Sequence, residues 1–188
     1  MAMHSHIDRI LWTEDQISLR ISQLAAQIVQ DFPPAPSPPP VFVGVLTGAF
    51  IFIADLVRKI NLPIDIHFLT SKSYGSGTLS NCAPTISHHF NVDVNGRHVI
   101  LVEDIVDTGH TLHKLIAHLK SKGASSVSVC TLLDKPARRK VDVQLVGEGK
   151  FYRGFECPDS FVVGYGMDFD ELYRNLPYIG VLKPEHYS

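Results

Sequence analysis

The sequence predicts an α/β protein with an open, mainly parallel, twisted sheet flanked by helices. From residue 41 onward, strands dense in β-branched residues alternate with helical patterns, as in VFVGVL followed by TGAFIFIADLVRKI. Strand–helix–strand units of this kind join parallel strands through right-handed crossovers. A chain of 188 residues, 45% of them hydrophobic, is long and apolar enough for one domain with a full core.

The composition argues against several classes of function. The 19 acidic and 17 basic residues give a formal net charge of −2, so we expect no basic surface for nucleic acid. The N-terminal stretch MAMHSHIDRI lacks an apolar signal region, and no apolar run approaches the length of a membrane span. The three cysteines are widely spaced, which predicts neither a disulfide framework nor a metal knuckle. We therefore expect a cytoplasmic protein without nucleic-acid or membrane partners.

The N-terminal region predicts one helix followed by a stiff connection. Thr13 and Gln16 suit a capping box, in which each side chain binds the backbone amide of the other residue. Apolar residues at helical spacing then continue toward Phe32. Six prolines between residues 33 and 40 forbid a helix and favour an extended spacer leading to the first strand of the sheet. An SH3-type ligand is the alternative interpretation, but the segment is short and internal.

Periodicity places the remaining elements in order. The helix predicted over residues 108–123 carries an apolar stripe that includes Leu112 and Leu119, and Gly123 suits its C-terminal cap. Residues 75–97 have little periodicity, which predicts a long mobile excursion with a hairpin as the alternative for part of it. The other predicted elements are strands over residues 41–46, 63–74, 98–104, 127–133, 142–148 and 161–167, and a helix over residues 47–60.

The chemistry is predicted where the strand HVILVED ends, because open α/β sheets bind ligands at the carboxyl ends of their strands. The next turn, DTGHT, leads into a helix, and the backbone amides and hydroxyls of residues 108–111 suit a phosphate. Gly109 permits close approach of the backbone. Glu103 and Asp104 are adjacent on the strand end and can accept hydrogen bonds from vicinal hydroxyls. Asp107 is a third carboxylate next to this phosphate-binding turn. Carboxylates beside a phosphate site therefore indicate a sugar phosphate as the ligand.

Three other kinds of site fit the sequence less well. A phosphoryl-accepting aspartate requires a spacing that EDIVDT does not have. No GxGxxG follows a strand, which argues against a dinucleotide fold. The histidines in HHF and GHTLHKLIAH lack partners at zinc spacing, so surface or packing roles are favoured for them.

The stretch VILVEDIVDTGHTL resembles the phosphoribosyl-pyrophosphate motif of type I phosphoribosyltransferases. Four further segments resemble, in the same order along the chain, the hypoxanthine-guanine branch of that family. They are the pyrophosphate loop and helix in VGVLTGAFIFIADLVRKI, the mobile loop in SKSYGSGT, the base-reading segment in LLDKPARR and the C-terminal hood in FVVGYGMDFDELYRNLPYIGVL. The resemblance implies the type I phosphoribosyltransferase fold and purine salvage, in which hypoxanthine or guanine plus phosphoribosyl pyrophosphate gives IMP or GMP plus pyrophosphate.

The resemblance also implies a role for each matching residue of the ribose and base sites. Glu103 and Asp104 would bind the ribose hydroxyls, and Asp107 would be the catalytic group facing N7 of the purine. Lys135 would donate to the exocyclic O6, which favours a 6-oxopurine over a 6-aminopurine. The 5′-phosphate would be bound by Asp107, Thr108, Gly109, His110 and Thr111, and the purine also by Phe161, through stacking, Val162, through its backbone, and Asp168, through its carbonyl.

The same resemblance assigns the pyrophosphate and metal sites. Asp168 would hold a Mg²⁺ ion, with Glu103 and Asp104 as further candidate ligands. Many relatives carry a lysine where this chain has Thr47, so one positive charge is missing from the pyrophosphate pocket. The pocket would be lined by Leu46, Thr47, Gly48 and Arg174, and Ser73 and Tyr74 in the mobile loop would close over the reacting centre.

The implied organisation is a single domain over residues 1–188. Its core would span about 41–150, and its hood would come from about 1–40 and 151–188. A homodimer or homotetramer is expected. A xanthine-preferring enzyme remains an alternative, as does a non-catalytic regulator that binds RNA, although the near-neutral charge argues against RNA and the Lys135 and Phe161 pair favours a purine.

Overall fold

The structure, a computed structural model, describes residues 3–72, 85–86 and 92–187. Its α-helices are α1 (Glu14–Gln30), α2 (Phe50–Val57) and α3 (His110–Ser121). Its strands are β1 (Ile7–Trp12), β2 (Val41–Leu46), β3 (Asp65–Lys72), β4 (Thr85–Ile86), β5 (His98–Val106), β6 (Ser126–Asp134), β7 (Phe151–Glu156), β8 (Val162–Val163) and β9 (Ile179–Leu182).

The larger of two sheets positions the candidate site. Its strand order is β4-β3-β2-β5-β6-β7, in which β4 is antiparallel to β3 and the other five strands are parallel. The central strands β2, β5 and β6 are buried along most of their length, as expected for a parallel sheet covered on both faces. Because these strands run in one direction, the loops that follow them meet at one edge of the sheet. This architecture confirms the predicted fold class.

Helices cover both faces of the larger sheet. Side chains of α1 and α2 pack on one face with Phe42 and Ile100, whereas α3 packs on the other with Val43 and Leu101. Neighbouring strand residues therefore contribute to opposite halves of the core, as the alternation of side chains along a strand requires. No helix in the described part of the chain is both long enough and apolar enough to span a membrane.

The second sheet joins the two ends of the chain. Strands β1, β9 and β8 form an antiparallel sheet, which we call the hood sheet. This sheet covers less of the chain than the hood expected from about 1–40 and 151–188. Residues 151–156 form β7 and pair with β6 in the larger sheet, and α1 shares one core cluster with α2, the larger sheet and part of the hood sheet. The hood sheet thus draws only on residues before α1 and after β7.

Several element boundaries differ from the predictions. The strand predicted over 142–148 does not form, because β7 occupies the edge of β6 from Val129 onward and leaves only an isolated bridge between Val146 and Val127. Residues 47–49 form a turn, so α2 begins at Phe50 instead of 47. The strand predicted over 161–167 is reduced to β8, and β1, β7 and β9 were not predicted. The capping box of Thr13 is present, and α1 begins at Glu14.

Candidate active site

A cavity of about 560 Å³ opens at the carboxyl edge of the larger sheet. Cavities of this size accommodate small-molecule ligands. Its walls come from the end of β5, the segment after β6, the chain from Asp159 through β8 to Asp168, and Tyr187 near the C-terminus. Six residues predicted from the sequence line it, namely Asp104, Asp107, Lys135, Phe161, Val162 and Asp168.

The two carboxylates at the end of β5 differ in burial. Glu103 is 5% exposed, and burial together with the neighbouring Asp104 raises its pKa well above the ordinary value. Burial raises the pKa of Asp104 to about 6, although backbone hydrogen bonds and the charge of Arg174 act in the opposite direction. A Cβ on Gly48 would lie 1.8 Å from Asp104 Oδ2, so only glycine fits there. The loop after β2 therefore touches the carboxylate that faces the cavity.

The turn after β5 has the features of an anion site. Helix α3 begins at His110, two residues later than predicted, and no side chain caps its start, which leaves its first amides for a ligand. Gly109 has a φ of 87°, and a Cβ there would lie 2.8 Å from Val141 O. The glycine is therefore required by packing as well as by any approach of phosphate. Thr108 O accepts hydrogen bonds from the amides of Lys140 and Val141, which hold the turn in place.

The segment after β6 supports Asp107 from two directions. Arg138 Nε lies 2.9 Å from Asp107 Oδ1, and Arg138 Nη1 donates to Asp159 Oδ1 at 3.2 Å. Arg139 Nε donates to the backbone oxygen of Asp107 at 3.2 Å, while its guanidinium pairs with the buried Asp134. Sequence reasoning missed both arginines. Their place in PARR, directly after the lysine expected to read the base, was the available signal.

Three buried side-chain atoms in the described residues have no hydrogen-bond partner, namely Asp107 Oδ1, Arg174 Nε and Arg97 Nε. Asp107 Oδ1 lies within ion-pair distance of Arg138 but without the alignment of a hydrogen bond. Buried polar atoms are nearly always hydrogen-bonded, so such exceptions call for a functional explanation. Two of the three belong to predicted site residues. They are an acceptor beside the expected purine and a donor beside the expected pyrophosphate.

Lys135, expected to contact the base, is buried and donates from Nζ to the backbone oxygen of Ser160 at 2.7 Å. Val162 is also buried. Phe161 stacks on Tyr187, with ring centroids 4.7 Å apart and planes at 19°. The rings of Phe161 and Phe169 form a T-shaped pair, with planes at 87°. Because Tyr187 covers one face of Phe161, a stacked purine would have to use the other face, a constraint that the sequence did not indicate.

On the opposite side, Arg174 and Asp168 form an ion pair. Arg174 Nη1 lies 3.0 Å from Asp168 Oδ1 and donates to the backbone oxygen of Gly166 at 2.8 Å. Arg174 does not line the cavity, and neither do Glu103 and the loop of Leu46, Thr47 and Gly48. That loop follows β2 at the same sheet edge and reaches the site through Gly48. Ser73 and Tyr74 lie outside the described residues.

The carboxylates suit a Mg²⁺ ion that also binds a substrate, rather than a closed metal cage. Among the residues that the structure describes, no three His, Cys, Asp or Glu side chains converge. Mg²⁺ commonly uses one or two protein carboxylates together with substrate phosphates. The pKa values of Asp104 and Glu103 are raised, so a divalent cation beside them would stabilise their charged forms, whereas both oxygens of Asp168 already have partners in Arg174 Nη1 and the amide of Glu171. The donor set therefore fits the ion at Asp104 better than at Asp168.

The raised pKa of Asp104 gives a prediction for stability. A carboxyl with a folded-state pKa of about 6 and an ordinary value of 3.8 stabilises the folded state at low pH and loses that contribution as the pH rises toward 6. We expect Asp104→Asn to increase the free energy of unfolding relative to wild type, by an amount that grows between pH 4 and 6 and is constant above. Urea unfolding with a chelator present would measure it, and the exposed Asp8→Asn is the matched control. A difference that is independent of pH would contradict the assignment.

Comparisons with known proteins agree with this geometry. Residues 12–170 match the phosphoribosyl transferase domain family. The hypoxanthine phosphoribosyltransferase of Haemophilus influenzae is 45% identical over 93% of this chain and 94% of its own length. The hypoxanthine-guanine phosphoribosyltransferase of Bacillus subtilis is 40% identical over 99% of each chain. A crystal structure of a Staphylococcus aureus hypoxanthine phosphoribosyltransferase superimposes with a TM-score of 0.87 at 41% identity, covering 99% of this chain and 97% of that one. The chain therefore belongs to the phosphoribosyl transferase family.

Proposed function

We propose that the protein transfers the phosphoribosyl group of phosphoribosyl pyrophosphate to hypoxanthine or guanine, giving IMP or GMP and pyrophosphate in purine salvage. The cavity at the sheet edge carries this proposal, because Asp104, Asp107 and Lys135 line it together. We assign them, respectively, to the ribose hydroxyls, to the purine proton and to the 6-oxo group. Relatives named for these purines, at 45% and 40% identity, support the choice of substrate.

In the proposed reaction, the bond between the anomeric carbon and pyrophosphate breaks, and a bond from that carbon to a purine nitrogen forms. The sugar passes through a cationic, oxocarbenium-like state, which Asp104 and Glu103 stabilise electrostatically. Asp107 Oδ1, the buried acceptor without a hydrogen-bond partner, takes the proton that the purine loses at N7. Bound Mg²⁺ supplies neutralisation of the departing pyrophosphate. The amides of residues 108–111 hold the 5′-phosphate.

On the other side of the reacting centre, Arg174 Nε is the buried donor proposed to bind pyrophosphate, together with the backbone of residues 46–48. Phe161 contacts the purine with the face that Tyr187 leaves uncovered, and Val162 presents its backbone to the base edge. Ser73 and Tyr74 are proposed to close over the centre.

We also propose that the chain is a single domain, that it forms a homodimer or homotetramer, and that it works in the cytoplasm.

Incubation with phosphoribosyl pyrophosphate, hypoxanthine and Mg²⁺ tests the proposed activity directly. Chromatography of the mixture should show IMP and pyrophosphate in a ratio of one to one. A parallel sample with excess chelator should form little product, because the charge on the leaving pyrophosphate is then not neutralised. Release of pyrophosphate without IMP would indicate hydrolysis instead of transfer, and the absence of both products would overturn the proposal.

A separate prediction concerns the missing lysine of the pyrophosphate pocket. Thr47 is exposed at the sheet edge, so a longer side chain can be added there without disturbing the core. We expect Thr47→Lys to lower the dissociation constant of pyrophosphate several-fold, because the new charge lies near the anion. Calorimetric titration would measure it, and Ser22→Lys on the exposed face of α1 controls for the change in net charge. Equal binding by both variants would mean that the side chain at 47 points away.

A further inference from the structure

A hydrogen bond ties the hood to α2 close to the pyrophosphate loop. Tyr165 Oη donates to Asp55 Oδ2 at 2.5 Å, which joins residues 110 positions apart in the chain. Tyr165 lies in the turn after β8, and its side chain is buried. Asp55 lies on α2, the helix that follows the loop of residues 47–49. We call this pair the Tyr165–Asp55 clasp. Neither member belongs to the cavity that holds the proposed reaction.

The residue after Tyr165 connects the clasp to the pyrophosphate site. A Cβ on Gly166 would lie 2.2 Å from the backbone oxygen of Gly48, so the two loops are in direct backbone contact. Gly166 O accepts a hydrogen bond from Arg174 Nη1 at 2.8 Å, and Gly166 N donates to Arg174 O at 2.9 Å. The position of this one turn therefore sets both the loop and the arginine that flank the proposed pyrophosphate.

The backbone around the clasp is strained. Tyr165 has a φ of 51°, in the left-handed region that side chains other than glycine rarely adopt. In the part of the chain that the structure describes, every non-glycine residue with positive φ lies between positions 165 and 173. Such conformations persist only where surrounding contacts hold them, and they concentrate at functional sites. The residues are Tyr165, Asp170, Glu171 and Tyr173.

We propose that the Tyr165–Asp55 clasp positions Gly48 and Arg174 for the binding of pyrophosphate. Both members are positioning residues, since they act through Gly166 rather than by touching the substrate. The inference rests on the proposed function, because pyrophosphate is the ligand assigned to this side of the site. Without the clasp, the strained turn is expected to relax away from the loop, while the purine side, built from Lys135 and Phe161, keeps its own contacts.

Tyr165→Phe tests the clasp, since it removes the hydroxyl and keeps the packed ring. We expect the dissociation constant of magnesium pyrophosphate to rise about three- to tenfold, the range of one net hydrogen bond. The KM for phosphoribosyl pyrophosphate should rise by a similar factor, and the KM for hypoxanthine should not change. Tyr152→Phe is the matched control, because it removes the same kind of hydrogen bond at a different place. Tyr152 Oη donates to Asp31 Oδ2 at 2.6 Å near the start of β7, away from the carboxyl ends of the strands.

Two more variants separate positioning from general stability. Asp55→Asn keeps an oxygen that accepts from Tyr165 and should bind pyrophosphate nearly as wild type does. Asp55→Ala should match Tyr165→Phe, and the double variant should be no weaker than either single one. The proposed role of the clasp would be overturned if Tyr165→Phe and Tyr152→Phe bound pyrophosphate equally. An equal rise in the KM for phosphoribosyl pyrophosphate and the KM for hypoxanthine would overturn it as well. The pyrophosphate titration needs no turnover, so a wild-type protein that binds pyrophosphate without forming IMP would contradict the proposed function alone.

Discussion

Replacing Asp107 by asparagine is expected to lower kcat by about 10²–10⁴-fold while the affinity for phosphoribosyl pyrophosphate stays within a few-fold of wild type. The amide keeps the size of the side chain, and the turn is held independently by Arg139 and by the amides that bind Thr108 O. The asparagine cannot accept the purine proton and carries no charge opposite the cationic sugar. The loss therefore falls on the transition state, which lowers kcat and kcat/KM together.

Calorimetric titration with phosphoribosyl pyrophosphate, beside steady-state kinetics, separates binding from catalysis in this variant. Asp159→Asn is the matched control, because it removes the carboxylate on the other side of Arg138 and leaves the Arg138–Asp107 contact in place. We expect only a small change in kcat for the control. Lost affinity with an intact kcat in Asp107→Asn would show that Asp107 braces the loop, and its assignment as the proton acceptor would then be wrong.

Replacing Lys135 by methionine is expected to remove most of the discrimination between hypoxanthine and adenine. In the wild type, a buried donor that adenine leaves unpaired should favour hypoxanthine by about 10⁴–10⁵-fold in kcat/KM. The Lys135 ammonium is buried, and Ser160 O accepts from one of its three N–H donors, which leaves the other two for a 6-oxo group. Methionine retains an apolar stem without a donor, and apolar pockets distinguish such pairs by only about 10²-fold.

The measurement for Lys135→Met is kcat/KM for each base, determined by competition between the two purines. Lys140→Met is the control, since Lys140 belongs to the same segment and is exposed. We expect this control to discriminate as the wild type does. A wild-type ratio that persists in Lys135→Met would mean that another group reads the 6-position, and comparable turnover of adenine by the wild-type protein would remove the basis of the assignment.

Local patterns in the sequence predicted the parts of the fold that local forces determine. The strand Val41–Leu46 was predicted with its observed limits, because its run of branched apolar residues is buried on both faces. The capping box of Thr13 placed the start of α1. The segment 142–148 also alternates like a strand, yet its place beside β6 is taken by β7. Which of two segments pairs with β6 depends on residues distant in the chain, so local periodicity cannot predict it.

The candidate site divides in the same way. The motif around Glu103 to Thr111 and the lysine at 135 were visible as short patterns, and the structure brings Asp104, Asp107 and Lys135 of that set to one cavity. The contacts that support them were not visible. Arg138 pairs with Asp107 across 31 positions, and Tyr165 reaches Asp55 across 110. Arg138, Tyr165 and Asp55 do not stand out in the sequence, and only the folded chain shows which partner each of them meets.

The most direct test of the central claim is product formation by the wild-type protein from phosphoribosyl pyrophosphate with five bases, each in a separate reaction with Mg²⁺. The bases are hypoxanthine, guanine, xanthine, adenine and uracil, and the nucleotide formed is identified by mass spectrometry. We predict IMP from hypoxanthine and GMP from guanine, with negligible product from adenine and uracil. The amount of product from xanthine distinguishes a hypoxanthine-guanine enzyme from a xanthine-preferring one. Comparable product from adenine or uracil, or no nucleotide from any base, would contradict the account.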